Sequence, residues 1–421
     1  MENGSVFLLA LAVIIIAWLF SFESFLLRKV ILFHLVKYLL VCFVSRFFVK
    51  RILFLRLLLP LAIGFAIYDT LSWSHILNQI PEVKGRFFIA ANLFNSENIL
   101  PYFTRELDLF IRYVGEKNVF VSIVEDHSTD STPILLQDWA SRLRKAGVSN
   151  QIITDFSVPE KKKVDRIHRM AFLRNAALQP FFDPHSGFSK NARSGDKVIF
   201  INDILFFKED LLVLADTAKE TDSAACSVDF GQHGLYDIWV TRDSQGRDLE
   251  HLYPHFISLE DQALWSRKLP VPVFSCWNGV VVMDAHLLTY FTNHLLVNQP
   301  FKSIPSFKTT HPSLPNLPLS TPGIRFRDSN MNECYSSECF LVWLDLRRDN
   351  KKISLYIHPK VIVTYSLHNY LVWKEFHSWK ALKYLSTQIL KQWRIVYQVT
   401  PHKDQHIYHC ISPLKHQEIQ S

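Results

Sequence analysis

Residues 118–132 read NVFVSIVEDHSTDST. The apolar run 119–124 has the length of one buried strand and stops at two acids, Glu125 and Asp126. A hydroxyl-rich turn follows, and Asp130, Ser131 and Pro133 open ILLQDWASRLRKAG, a predicted helix over 134–146 that Gly147 ends. Acids just past a buried strand, beside a helix start, occupy the edge where open α/β sheets bind ligands. A helix N-terminus there offers free N–H groups to a phosphate. The stretch therefore reads as part of a nucleotide or sugar-nucleotide pocket, with Glu125 and Asp130 as candidate contacts. Ser, Thr and Asp also cap helices, which is the competing reading.

The same alternation continues on both sides. Strands are expected at 86–92, 119–124, 151–154, 197–201 and 223–228, and helices at 97–114, 134–146, 163–178 and 209–219. The helix over 97–114 puts Leu100, Phe103, Leu107, Phe110 and Ile111 on one face. The helix over 163–178 is expected to break at Pro180. Strand–helix alternation at this spacing predicts an α/β domain with a mainly parallel central sheet covered on both faces. Residues 300–322 carry six prolines and form either a mobile flap or a surface connection.

A second strand, KVIFINDILF (197–206), ends at Asn202-Asp203. A carboxylate at that point can hold Mn²⁺ or Mg²⁺ beside a diphosphate, because both cations prefer oxygen ligands; a plain turn cap is the alternative. Arg174-Asn175, in AFLRNAAL on a predicted helix, supply a forked donor for phosphate and an amide for a sugar hydroxyl. Asp229 in SVDFG and Asp237 in YDIWVTRD follow the next strand. Tyr236, Trp239, Arg242 and Asp243 complete a patch of aromatics and charges suited to a sugar or acceptor pocket. CWNGVV (276–281) adds Trp277 and Asn278 before Gly279 and another strand. Glu338, in NECYSSECFL, is expected to lead into a further strand, and His358 is a weaker metal candidate that reads better as a core or turn histidine. No GxxxxGK[ST], GxSxG, HExxH or GxGxxG occurs, which counts against a P-loop enzyme, a serine hydrolase, a zincin and a nicotinamide dehydrogenase.

The chain has 421 residues, 48% hydrophobic and 14% aromatic, which excludes a disordered protein. Its net charge of +7 is concentrated at the start. Arg28, Lys29, Lys37, Arg46, Lys50, Arg51 and Arg56 face only Glu2 and Glu23 within residues 1–60. The rest is nearly balanced, so a nucleic-acid partner is not expected. Residues 6–22 carry no charge and come near the length that spans a bilayer. Residues 52–68 form a second apolar run with Arg56 near its start, and the basic segment between them suits an interface with membrane lipid. The basic cluster sets the segment between the runs in the cytosol and residues from about 70 onward in the lumen. Two spans or one give the same lumenal domain. None of the six cysteines has zinc-type spacing; Cys334 and Cys339 would meet an oxidising lumen and can pair with each other or with other cysteines.

FIAANLFNSENILPYF, VFVSIVEDHSTDST, LRNAAL, FINDILFFKEDLL, YDIWVTRD, VFSCWNGVVVMDA, RFR and ECYSSECFLVWLDLRR occur in that order. On these motifs, over about 86–367, the chain resembles the fungal capsule-associated α-1,3-mannosyltransferases of glycosyltransferase family 69. The resemblance implies a GT-A-like fold, GDP-mannose as donor, a divalent cation, a glycan acceptor and retaining transfer in a Golgi membrane. It places Glu125 and Asp130 in the family's ESGSTD turn and Asn202-Asp203 at its LND, the counterpart of a metal-binding DxD. Asp126-His127 replace the family's Ser-Gly. The expected roles are Asp203 for the metal; Glu125, Asp130, Arg174, Asn175, Asn202, Arg325 and Arg327 around the nucleotide and diphosphate; Glu338, Asp229 and Asp237 as catalytic acids; and Tyr236, Trp239, Arg242, Asp243, Trp277 and Asn278 lining the sugar and acceptor pocket. The expected organisation is a membrane anchor at 1–68, a linker at 69–84, a catalytic domain at 85–370 and a C-terminal helix and tail at 371–421. Another nucleotide sugar, or a catalytically silent subunit in a complex with other glycan-synthesis enzymes, are the alternatives.

Overall fold

Alternate side chains of one strand face opposite sides of a sheet, and the first strand shows how the layers form. Phe87 packs edge-on against Phe110 of one helix, while Phe88 packs against Phe181 of another on the opposite face, with ring centroids 5.2 and 5.4 Å apart. The computed structural model describes residues 81–156, 165–183, 193, 195–231, 234–289, 326–329, 334–349, 352–370 and 373. All belong to the unit that starts at Pro81.

In chain order the elements are β1 (Phe87–Leu93), α1 (Leu100–Val114), β2 (Val119–Glu125), α2 (Thr132–Lys145), β3 (Ser149–Ile153) and α3 (Arg166–Phe182). β4 (Lys197–Ile201), α4 (Lys208–Thr217), β5 (Ser223–Gly231), β6 (Gly234–Leu235) and β7 (Arg242–Asp243) follow. The chain goes on through α5 (Leu259–Ser266), β8 (Val271–Ser275), β9 (Val280–Asp284), α6 (Ala285–Thr289), α7 (Glu338–Asp349), β10 (Ser354–Val363) and α8 (Leu367–Tyr370).

The sheet order is β3-β2-β1-β4-β9-β5-β10-β8-β7, with β6 paired to β5. β1 to β4 pair in parallel, as does β10 with β5. β9 runs antiparallel between β4 and β5, and β8 and β6 also oppose their neighbours. The sheet is mixed but mainly parallel. β1, β4 and β9 are buried at nearly every position, as strands covered on both faces must be. The five residues picked for the apolar face of α1 are all buried.

Two expectations fail locally. α3 does not break at Pro180 but runs on to Phe182. Proline forfeits one hydrogen bond to the preceding turn, and within the last turn that loss is easily absorbed: the Asp183 N–H reaches the Pro180 carbonyl at 3.2 Å and closes a tighter turn. Glu338 opens the helix α7 and not a strand. Its residues Cys339 to Trp343 are buried without interruption, and such a run has no period that separates strand from helix.

Cys226 of β5 and Cys276, just past β8, form a disulfide. Cys334 is also disulfide-bonded, whereas Cys339 is a buried free thiol, so the two do not pair with each other. Among the described residues no helix is long and apolar enough to cross a membrane. The two apolar runs and the linker up to residue 80, the proline-rich segment 300–322, Arg325, and residues 374–421 lie outside the described residues.

Candidate active site

The parallel strands β1, β2, β4, β5 and β10 all end on one rim. Antiparallel β9 begins there, so the turn before it joins the same rim. Glu125, Asn202-Asp203, Asp229, Trp277-Asn278 and Tyr365 are thereby gathered at neighbouring strand ends. Glu125 ends β2 opposite Leu93 of β1. β1 alone separates β2 from β4, so the tips carrying Glu125 and Asp203 are two strand spacings apart, about 10 Å. They share a rim, and among the described residues they do not belong to a group of three or more metal-ligating side chains.

At the first two tips, the turns before α1 and α2 cap each other. Asn95 N–H donates to Ser128 Oγ at 2.8 Å and Thr129 N–H donates to Asn95 Oδ1 at 2.9 Å. Ser96 N–H reaches Thr132 Oγ1 at 2.7 Å, Glu97 N–H reaches Asp130 Oδ2 at 3.1 Å, and Ser131 N–H reaches Glu97 Oε2 at 2.9 Å. The other oxygen of Asp130 accepts from Thr132 N–H at 3.0 Å. Slight burial opposes its charge, but the bonds from Thr132 and Glu97 prevail and hold the carboxyl below its usual range. Both oxygens of Asp130 are thus spent on capping. Glu125 is fully buried, and one carboxylate oxygen accepts from the Ser128 N–H. Its Oε2 is buried and has no hydrogen-bond partner among the described residues.

Arg174 is the hub of the central tips. It rises from α3, is buried, and lies over the rings of Trp277, Phe200 and Phe326 at 4.7, 5.0 and 5.7 Å. Its Nε donates to Glu338 Oε1 at 2.9 Å and its terminal nitrogen to Asn202 Oδ1 at 3.3 Å. Asn202 Oδ1 also accepts from Trp277 Nε1 at 3.3 Å, and Asn202 Nδ2 donates to the Tyr365 hydroxyl at 3.2 Å. Glu338 is 3% exposed and takes a further bond from Ser337. Asp203 next door is half-buried. Burial pushes its carboxyl up to about 6, against the pull of its own backbone N–H and the nearby Arg174 charge.

Asn278 organises the remaining acids. It is fully buried with φ of 47°, a left-handed conformation that asparagine tolerates better than most residues. Its Nδ2 donates to Asp229 Oδ1 at 2.9 Å, its backbone N–H approaches Asp237 Oδ2 at 3.4 Å, and its Oδ1 accepts from Thr241 at 2.8 Å. Asp237 N–H donates to Asp229 Oδ1 at 3.2 Å. Asp229 is wholly buried and its Oδ2 finds no partner among the described residues. Burial first, and repulsion from Asp237 second, lift its carboxyl to about 7. Burial also lifts that of half-buried Asp237, to about 6. The Tyr365 hydroxyl lies near Asp229, Asp237 and Asp203; burial and those charges hold its proton on.

Several expected residues take structural partners instead. Asn175 clamps the backbone of Phe326 with two bonds of 2.8 Å, so its amide is not free for a sugar. Arg327 forms a buried two-pronged pair with Asp345 at 2.7 and 2.8 Å and not with a diphosphate. Arg242 binds Asp248 at 3.0 Å and lies over Phe340. Asp243 is buried in a turn that it closes with Arg247 at 2.7 Å. His358 is buried in β10, where desolvation and Lys360 lower its pKa to about 4. Tyr236 and Trp239 are exposed. Tyr365 and Tyr335 escaped sequence reading, although Tyr365 follows the strand VIVT just as Asn202-Asp203 follow VIFI.

Among the described residues no three His, Cys, Asp or Glu side chains are grouped as a metal cage. Asp203 still fits a divalent cation. Mg²⁺ and Mn²⁺ are commonly held by one or two carboxylates and complete their shells with water and substrate phosphates. A half-buried carboxyl on the turn after β4, at the rim, supplies one such ligand.

The family model described as Cryptococcal mannosyltransferase 1 matches residues 86–345. An alpha-1,3-mannosyltransferase of Cryptococcus neoformans var. neoformans serotype D is 26% identical over 284 residues, covering 62% of this chain and 54% of the relative. The chain thus spans about half the length of that relative. Among solved structures, TarS of S. aureus in complex with UDP superposes with a TM-score of 0.32 at 14% identity, covering 75% of this chain and 67% of TarS. Glucosyl-3-phosphoglycerate synthase from Mycobacterium tuberculosis, with UDP, gives 0.27 at 17%, covering 49% and 59%. Superpositions that loose carry no argument about fold or ligand. The family match covers the strand tips from Glu125 to Asn278 and every element up to the first part of α7, though not β10 with Tyr365, and by it this chain belongs to the Cryptococcal mannosyltransferase 1 family.

Proposed function

We propose that the chain is a GT-A-type glycosyltransferase that moves mannose from GDP-mannose to a glycan acceptor and forms an α-linkage, α-1,3 by analogy with its relative, with retention. The observation that carries this reading is the convergence of Asp203, Asp229, Asp237 and Asn278 on one rim within the segment that matches the family. Asp203 is the residue that would hold Mn²⁺ or Mg²⁺ beside the diphosphate, where the cation would offset charge on the leaving nucleotide. Arg174 is too deeply buried to grip phosphate. It fixes Asn202, Trp277 and Glu338, and keeps positive charge beneath the Asp203 turn. Glu338 is spent on Arg174, so Asp237, half-buried and aligned by Asn278, presents the carboxylate that steadies the cation-like sugar. Glu125 is buried more deeply than Arg174, so it acts through the Ser128 turn that it holds on the nucleotide side of the rim.

In retaining transfer the C1–phosphate bond breaks as the acceptor oxygen bonds C1 on the same face. The acceptor proton passes to the departing phosphate oxygen, so no enzymatic base is required. The Cys226–Cys276 disulfide supports a lumenal, oxidising setting in a Golgi-type membrane. The test is donor hydrolysis and transfer by the full chain in detergent, with GDP-mannose, UDP-glucose and UDP-N-acetylglucosamine, each with Mn²⁺ or EDTA. Metal-dependent turnover of GDP-mannose is the expected result. Turnover of a UDP-sugar alone would overturn the donor assignment. Absence of any turnover, with Asp203→Ala functioning normally in cells, would make the chain a silent subunit.

A further inference from the structure

Two exposed aromatic side chains stack beside the acid cluster, and nothing in the transfer chemistry above uses them. Trp239 and Tyr335 come from distant segments, yet their rings lie with centroids 6.0 Å apart and planes at 30°. Trp239 is 36% exposed and Tyr335 is 42% exposed, although large aromatics gain by burial. The pair is braced from below. The Tyr335 hydroxyl donates to both oxygens of Asp165 at 3.2 and 3.1 Å. The same carboxylate accepts from Ile167 N–H at 2.8 Å and so caps α3, the helix that carries Arg174. Burial first, then Asp165, push the hydroxyl up to about 12, so it remains a donor at neutral pH.

Each ring is tied by its own chain to an acid of the rim. Trp239 follows Asp237 by two residues, which keeps their Cα atoms within about 7 Å. Tyr335 precedes Glu338 by three residues, where α7 begins. Both rings thus lie on the β5 side of Asp203, whereas the Glu125 tip lies on the β2 side. A pyranose ring has an apolar C–H face and a rim of hydroxyls. Its face packs on an aromatic surface while its rim hydrogen-bonds to carboxylates. The stacked pair offers such a ring an exposed aromatic ledge, with Asp165 bound at Tyr335 and Asp237 two residues from Trp239 in the chain.

We infer that Trp239 and Tyr335 form a subsite that holds a pyranose ring of the acceptor glycan by stacking, next to Asp237. The inference rests on the glycosyl-transfer reading for its ligand. Its test uses the full chain in detergent and two probes, methyl α-mannopyranoside and α-1,3-mannobiose. In saturation-transfer NMR the ring protons of mannobiose gain signal with the wild type, lose it with Trp239→Ala and with Tyr335→Ala, and keep it with Trp239→Phe. In kinetics with mannobiose as acceptor, the alanine variants raise the acceptor KM roughly three- to tenfold, the scale of one aromatic contact, while the donor KM stays within about twofold. Thermal melting of each variant checks that the fold survives, and the two alanine variants act from different segments. Unchanged saturation transfer and acceptor KM in both would overturn the subsite. A rise in donor KM alone would assign the ledge to the donor's base. A wild type that transfers nothing yet binds mannobiose through these rings would sink the transfer reading and leave the subsite standing.

Discussion

Asp229 and Asp237 share one buried corner, and their proton affinity has a measurable sign. Both carboxyls are lifted above the usual range, to about 7 and about 6. Between the unfolded value near 4 and these values, the folded protein binds more protons than the unfolded chain, so stability falls as pH rises through that window. Asp229→Asn removes the penalty. The variant is expected to raise the melting temperature over wild type at pH 7.5 and not at pH 4, while lowering transfer by at least about tenfold through the misplaced Asp237. A melting difference that does not change between the two pH values would show that the pair carries no such penalty. Asp203→Ala is expected to abolish Mn²⁺ binding and reduce transfer about a hundredfold or more with little change in melting, because this side chain is half-buried and makes no side-chain bond with another described residue. Isothermal titration with Mn²⁺ checks the first part. Asp203, Asp229 and Asn278 were legible in the sequence because each stands where an apolar run stops. Arg174 was legible as important, but its partners were not. Nothing in LRNAAL shows that the guanidinium turns inward onto Trp277 and Glu338, since that depends on residues more than a hundred positions away.

Among the elements, β9 decides how the rim is assembled. It enters antiparallel between β4 and β5, so the Trp277–Gly279 turn faces the same side as the acids that follow its neighbours. Gly279 is tightly enclosed: a Cβ there would stand 2.9 Å from Val363 Cγ2 and 3.1 Å from Ile204 Cγ2, at φ of 84°. Gly279→Ala is therefore expected to destabilise the domain by about 1–3 kcal/mol and to impair transfer, as denaturant melts and steady-state assays would reveal. The disulfide anchors the same turn to β5. Breaking it with Cys226→Ser and Cys276→Ser together is expected to cost roughly 2–4 kcal/mol by the same denaturant melts. The regular alternation of strand and helix up to β5 was readable because each element carried its own period and its own stop. Beyond β5 that signal faded. Short strands such as β6 and β7 have too few residues for a period, and a helix buried as thoroughly as α7 resembles a strand on paper. The direction of β9 depends on its neighbours and is not written in Val280–Asp284.

For the whole chain, a basic, apolar start and a nearly neutral remainder lead to a prediction about location. The protein is expected to remain in the membrane pellet after alkaline carbonate extraction, and residues from 81 onward to resist protease in sealed vesicles until detergent is added. Release by carbonate, or digestion of that region in intact vesicles, would contradict the anchored, lumenal arrangement. The interlocked turns at Asn95–Glu97 and Ser128–Thr132 bear on how such a protein can change. Six hydrogen bonds run between them, so neither turn holds its shape alone. A chimera that imports only one turn from a relative with another nucleotide preference should misfold locally; a functional transplant must move both at once, and the two stretches should drift through evolution as a matched set.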